Sequence, residues 1–186
     1  MSQSLILVRH SLPEIQKDRP ACEWKLSANG RLRARLLSER ISAYPVDVVF
    51  SSVEPKAVET AQIIAADCDV ELHVVAGLHE HDRSNVPYLT RLEFESAVQE
   101  FFRRPDMLVF GRETANQAYE RFSGAISSLL ADYKDQDLAI VAHGTVISLF
   151  VSRLTGTSAF VLWEKLGLPS FVIFDATRLI TIENLP

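Results

Sequence analysis

Residues 5–11 read Leu5-Ile6-Leu7-Val8-Arg9-His10-Ser11. Four consecutive apolar residues, followed at once by an arginine and a histidine, predict a short strand buried on both faces that ends in polar side chains. The same alternation recurs outward from this stretch. Ser27 stands as an N-cap before Leu32, Leu36, Leu37 and Ile41, which share helical spacing, and Gly30 falls in the first turn. After Pro45, residues 46–50 form a second apolar run that ends in Ser51-Ser52. Pro55 suits a first helical turn, and Ala57, Ala61, Ile64 and Ala65 supply a small-residue stripe behind it. Residues 70–75 predict a third strand, ending in Ala76-Gly77-Leu78-His79-Glu80.

Tyr119, Phe122, Ile126, Leu129, Leu130 and Tyr133 predict an amphipathic helix. Residues 138–141 predict the next strand, which runs into Ala142-His143-Gly144, and residues 146–154 the helix after it. Residues 171–174 and 179–182 predict two closing strands around Asp175-Ala176-Thr177. Strands alternating with helices imply an α/β fold, a three-layer αβα sandwich with a mainly parallel central sheet. Residues 1–186 are expected to form a single domain. The segment from about 79 to 115 breaks the pattern: it is irregular and charged, carries Pro87 and Pro105, and has room for one helix over 92–102. It is too long for a plain connection, which predicts a lid or side insertion.

Composition narrows the function classes. A chain of 186 residues that is 47% hydrophobic can bury one ordinary core. A net charge of -5 argues against a general nucleic-acid binder, which needs a clustered excess of Lys and Arg, but not against a local phosphate site. Cys22 and Cys68 match no metal-ligand spacing and read as reduced thiols. The start, Met1-Ser2-Gln3-Ser4, lacks the basic flank of a signal peptide, and no apolar run approaches the roughly 20 residues of a membrane helix. The expectation is a cytoplasmic protein without nucleic-acid or membrane partners. No pattern in the sequence speaks to oligomeric state.

Ligands of open α/β sheets sit beyond the carboxyl ends of the strands. Arg9 and His10 stand at one such end, Ser51 and Ser52 at a second, with Lys56 one helical turn on. His79, Glu80 and His81 follow the third strand, and His143 and Gly144 the fourth; only His73 lies inside a strand. Singly, each has a plain structural use: a hydrogen-bonded histidine, a solvated lysine, a serine cap, an exposed charged turn. Together, cations, imidazoles and a carboxylate at one sheet edge describe a phosphate pocket, to which helix N-termini add their positive ends.

These residues resemble those of the histidine phosphatase superfamily, also called the phosphoglycerate mutase-like family, from Leu5 to about Phe174. Leu7-Val8-Arg9-His10 is similar to the family's Arg-His-Gly signature, and Leu26-Ser27-Ala28-Asn29-Gly30 to its Leu-Thr-x-x-Gly. Ser51-Ser52, Lys56-Ala57 and Thr60-Ala61 resemble its Ser-Ser-Pro-x-x-Arg-Ala-x-x-Thr-Ala stretch, Leu78-His79-Glu80 its Leu-x-Glu, and Ala142-His143-Gly144 its second-histidine motif. Ser11, Val53 and Lys56 depart from it, standing where the family has glycine, proline and arginine.

The resemblance implies a phosphatase that needs neither metal nor cofactor and acts on a small phosphorylated metabolite. His10 would form a phosphohistidine, Glu80 would donate a proton, and Arg9, Lys56, His143 and Ser11 would hold the phosphate. A phosphohistidine protein phosphatase and a catalytically weak phosphate-binding module are the alternatives. Glu113 is a second carboxylate near the pocket, with a first-turn helical position as its plain use. Arg83, Arg91, Arg103, Arg104 and Arg112 either meet a distal anionic group or solvate the irregular segment, the second being favoured for each.

Overall fold

A computed structural model describes residues 3–175 and 178–185. Its sheet has six strands in the order β3-β2-β4-β1-β5-β6. Strands β1 (Ser4–Arg9), β2 (Val48–Ser51), β3 (Glu71–Val74) and β4 (Leu138–Ala142) run parallel. Strands β5 (Ser170–Asp175) and β6 (Arg178–Asn184) close the sheet antiparallel to β1. Both closing strands match the sequence reading; Ala176 and Thr177, which lie between them in sequence, are outside the described residues.

β1 has Ile140 and Val172 opposite Leu7 on its two sides, which makes it an interior strand. Its alternate side chains enter two cores, because successive residues of a strand face opposite ways. Leu5 and Leu7 pack with Phe122 and Ile126 of α4 (Ala115–Asp132) and Ile147 of α5 (Gly144–Thr155). Ile6 and Val8 pack with Leu37 and Ile41 of α1 (Ala28–Ile41) and with Ala61 and Ile64 of α2 (Pro55–Cys68). Helices thus cover both faces of a mainly parallel sheet, the layering the sequence predicted.

One helix face differs from its reading. Ser27 caps α1 by accepting the Gly30 N–H, but the buried side is Gly30, Ala34, Leu37, Ser38 and Ile41. Leu32 and Leu36 are 59% and 51% exposed. Gly30 sets this face: a Cβ there would lie 2.0 Å from the Leu12 carbonyl oxygen, so the helix rests on that carbonyl through its missing side chain. Residues two and six positions further along point to roughly the opposite side of a 3.6-residue turn.

The 79–115 segment contains α3 (Arg91–Arg103), started by a capping box between Thr90 and Glu93. A further short helix, α6 (Ala159–Lys165), which the sequence reading did not anticipate, brings Trp163 to 5.8 Å from the Phe94 ring of α3. No described helix is long and apolar enough to cross a membrane.

Candidate active site

The order β2-β4-β1 places three strand ends side by side, and backbone hydrogen bonds fix the residues just past them. The His10 N–H donates to the Ala142 carbonyl at 3.0 Å, and the Ser52 N–H to that of Val141 at 2.9 Å. His10 and His143 meet there with ring centroids 5.1 Å apart, edge to face. His10 Nδ1 lies 2.7 Å from the Ser11 carbonyl oxygen. A carbonyl can only accept, so Nδ1 carries the hydrogen and Nε2 keeps its lone pair. Burial, reinforced by His143, Lys56 and Arg9, holds His10 well below the usual imidazole pKa and therefore neutral. His143 is fully buried and is pushed the same way by burial first and Lys56 next. Its Nε2 is 2.7 Å from Ser52 Oγ.

Arg9 reaches across the start of α5. A Cβ on Gly144 would lie 2.8 Å from Arg9 Nε, so the glycine gives the guanidinium its path. Arg9 Nη1 donates to the Leu166 carbonyl, while Nε is buried without a hydrogen-bond partner among the described residues. Burial lowers the Arg9 pKa to about 10, and the group remains a cation at neutral pH. His143 Nδ1 is likewise buried and unpartnered among the described residues.

Glu80 enters from the opposite side. Its carboxylate accepts N–H groups from His81 at 3.0 Å, Thr145 at 3.2 Å and Val146 at 3.3 Å, which places it over the N-terminus of α5. Burial alone would raise its pKa, but Arg83, His143 and the His81 N–H outweigh burial and keep it below the ordinary carboxylate value. In this state Glu80 is a base with its proton gone.

The sequence model of the histidine phosphatase superfamily (branch 1) matches residues 5–176. The chain belongs to this superfamily. Phosphoglycerate mutase-like protein 4 of Arabidopsis thaliana is 28% identical over 188 residues, covering 94% of this chain and 81% of that protein. Phosphoserine phosphatase 1 of Hydrogenobacter thermophilus is 26% identical, with 86% and 80% covered. Among solved structures, a phosphoserine phosphatase of Entamoeba histolytica in complex with 3-phosphoglyceric acid superposes with a TM-score of 0.80, at 21% identity, over 98% of both chains. A mycobacterial glucosyl-3-phosphoglycerate phosphatase superposes with a TM-score of 0.74, at 18% identity, over 93% of this chain and 90% of that one. The protein is an enzyme of the histidine phosphatase type.

Against that family pattern, the departures take definite places. The Ser11 hydroxyl donates to the Gly30 carbonyl at 2.7 Å, and the residue is fully buried; it ties the histidine loop to α1. Lys56 is also buried, and its ammonium donates to the Ala21 carbonyl at 2.7 Å and to the Glu54 carboxylate. Glu54 was not singled out by sequence reasoning. Buried beside Lys56, it accepts the Glu80 N–H at 2.9 Å through Oε1, which lies 3.5 Å from His143 Nε2. The sequence offered only an acidic residue between the Ser-Ser pair and the lysine; that its side chain leaves α2 uncapped is seen only in the fold.

Glu113 pairs with Arg121 at 2.5 Å and accepts the Asp82 N–H at 2.9 Å. Arg121 in turn donates to the carbonyls of Gly77, His79 and Glu80, so this pair holds the turn that carries Glu80. His81 is buried between Phe101 and Phe110, with ring centroids at 4.2 and 4.7 Å, and so joins the packing of the 79–115 segment. His79 lines a cavity of about 280 Å³ together with Glu54, Glu80 and Arg83. Arg83 stacks over Phe94 at 4.4 Å and has a buried Nη1 without a partner among the described residues. Of the five arginines in and beside the irregular segment, Arg83 is the one whose charge reaches Arg9, Glu80 and His143. His73 lies on β3 beside Glu71, away from the site. Among the described residues, no group of three or more His, Cys, Asp or Glu side chains is arranged to hold a metal ion.

Proposed function

We propose that the protein hydrolyses the phosphomonoester of a small phosphorylated metabolite through a phosphohistidine on His10, without a metal. The observation that carries this reading is the tautomer of His10: Nδ1 is committed to the Ser11 carbonyl, leaving a neutral Nε2 lone pair in a buried, cation-lined site. Names borne by the relatives, phosphoserine and glucosyl-3-phosphoglycerate phosphatases, support a small phosphorylated substrate.

Nε2 attacks phosphorus, the P–O ester bond breaks, and the leaving oxygen takes a proton from Glu80. Glu80 starts ionised, so it must gain that proton as the substrate binds. Two negative charges brought by a phosphate beside the carboxylate raise its proton affinity, and it takes a proton from solvent on binding. Once the alcohol leaves, the Glu80 carboxylate accepts a proton from water as the water attacks phosphorus. The P–N bond then breaks, and neutral His10 and inorganic phosphate are restored. Arg9 Nε and His143 Nδ1, both buried and without a hydrogen-bond partner among the described residues, hold the phosphoryl oxygens as charge shifts among them. Lys56 acts through Glu54, steadying it against the Glu80 N–H, and reaches phosphate only by leaving that pair. The Ser11 hydroxyl, engaged with Gly30, positions the loop.

A catalytically weak phosphate-binding module is the second reading, favoured by the Glu54 carboxylate that offsets Lys56 in the pocket. Turnover of an aryl phosphate in EDTA separates the two. The enzyme is expected to retain activity under chelation, lose it in His10→Ala, and carry acid-labile, base-stable phosphate during turnover. Binding of phosphate without turnover of any monoester would favour the module.

A further inference from the structure

Beside the cavity of about 280 Å³ that Glu80 lines is a larger one of about 620 Å³, within the range of pockets that enclose whole organic ligands. Ala21 and Arg83 line both cavities; Arg9 opens into the larger and Glu80 into the smaller. For a phosphate held by Arg9 with its ester oxygen at Glu80, the larger space is thus adjacent, reached past the shared residues Ala21 and Arg83. Four aromatic side chains wall that space, Trp24, Tyr88, Phe94 and Trp163, and both tryptophans of the chain are among them. They come from three separate parts of the fold. Trp24 lies in the β1–α1 connection, Tyr88 and Phe94 in the 79–115 segment, and Trp163 on α6.

We infer that this cavity receives the leaving group, and that the preferred substrates are phosphomonoesters whose alcohol carries an extended aromatic ring system. The inference rests on the phosphatase reading above and names its substrate class. Phe94 and Trp163 meet edge to face with centroids 5.8 Å apart, Arg83 covers one face of Phe94 and Phe160 stacks on Trp163, so this wall is a packed aromatic cluster, and aromatic pairs add to the effect of buried area alone. A short polar alcohol such as a serine side chain leaves these walls in water. The stacked Arg83 guanidinium, whose buried Nη1 has no partner among the described residues, stands where the two cavities meet.

Two esters of primary alcohols, ethyl phosphate and 2-(1-naphthyl)ethyl phosphate, test this with leaving oxygens of similar basicity. The naphthyl ester is expected to show a kcat/KM higher by about 10-fold or more, since apolar contact with the aromatic part of the wall discriminates on that scale. Trp163→Ala should shrink that ratio several-fold, chiefly through KM. His10-dependent turnover of both esters at equal kcat/KM would overturn the aromatic subsite and leave the phosphatase standing. If an aryl phosphate turns over and neither of these esters does, the aromatic subsite is overturned; if no monoester turns over, the phosphatase reading fails, and the cavity is then read by tryptophan fluorescence. Saturable quenching by the naphthyl ester, with none from inorganic phosphate, still supports aromatic occupancy. Absence of quenching by the naphthyl ester, or an equal response to phosphate, overturns it.

Discussion

The carboxyl edge of β1, β2 and β4 and the 79–115 segment face one pocket but are built in different ways. On the edge, His10, Ser52 and His143 are buried, and sheet-type backbone bonds from His10 and Ser52 to β4 set their positions. The segment has one helix and is held at a few points: the Glu113–Arg121 pair, the three carbonyls bound by Arg121, and His81 between Phe101 and Phe110. A nucleophile must keep its place to within a fraction of an ångström, and a parallel sheet edge supplies that rigidity. A surface that selects the alcohol needs only the right shape and can hang on replaceable contacts. Glu80 belongs to both regions, since its carboxylate sits on α5 while its backbone is held by Arg121.

The comparison predicts that damage to the edge stops chemistry, whereas damage to the segment degrades proton transfer and selection. His10→Ala carries the largest effect, a loss of roughly 10⁴-fold or more in kcat with the fold retained, checked by single-turnover kinetics and a thermal melt. A melt that collapses along with activity would show that His10 also carries stability, and would blur the division. Lys56→Met comes next. It leaves Glu54 buried without its cation and is expected to lower stability by roughly 3–5 kcal/mol in denaturant titration, with Lys56→Met/Glu54→Gln recovering most of that. Failure of the double variant to recover would show that Lys56 stabilises the fold by some route other than this pair.

Arg121→Met is expected to lower kcat by about 10²-fold, the scale of a small misplacement of a catalytic group. Because Glu80 is the group displaced, esters with poor leaving groups should suffer more than aryl esters, and an equal loss for both would place Arg121 outside proton transfer. The smallest effect concerns pH. His10 and His143 have pKa values below the usual 6.5 when folded. Between the folded and unfolded values the unfolded chain binds more protons, so stability is greatest above about pH 6.5 and falls as the pH drops. Denaturation midpoints at pH 7.5 and 5.5 should differ in that sense, and His143→Gln should weaken the dependence.

The edge could be read from the sequence because each residue directly follows an apolar run. A run of four buried residues announces a strand, and whatever follows it must lie at the strand end where parallel sheets place their sites. His10, Arg9 and His143 were accessible in this way. The face of α1 was not: Leu32, Leu36, Leu37 and Ile41 have helical spacing, but Gly30 resting on the Leu12 carbonyl rotates the contact surface onto Ala34 and Ser38. Periodicity identifies a helix more surely than the direction it faces. Glu54 was missed for a similar reason, since an acidic residue before a helix has an ordinary use at the N-terminus, and only folding shows it turned inward to Lys56.

The sequence by itself determined the order of the strands and of helices α1 to α5, though not α6, and the residues at the strand ends, because hydrophobic runs and the residues that terminate them are properties of adjacent positions. It also carried the arginine, the two histidines and the glutamate on which the family resemblance rests. Only the tertiary structure decided their states. It showed His10 Nδ1 bound to the Ser11 carbonyl, Glu80 ionised over α5, Lys56 paired with Glu54, and Glu113 held by Arg121. It also gathered Trp24, Phe94 and Trp163 around one cavity. A proton's position, an ion pair and a pocket wall depend on distances between groups far apart along the chain, and no local pattern encodes those.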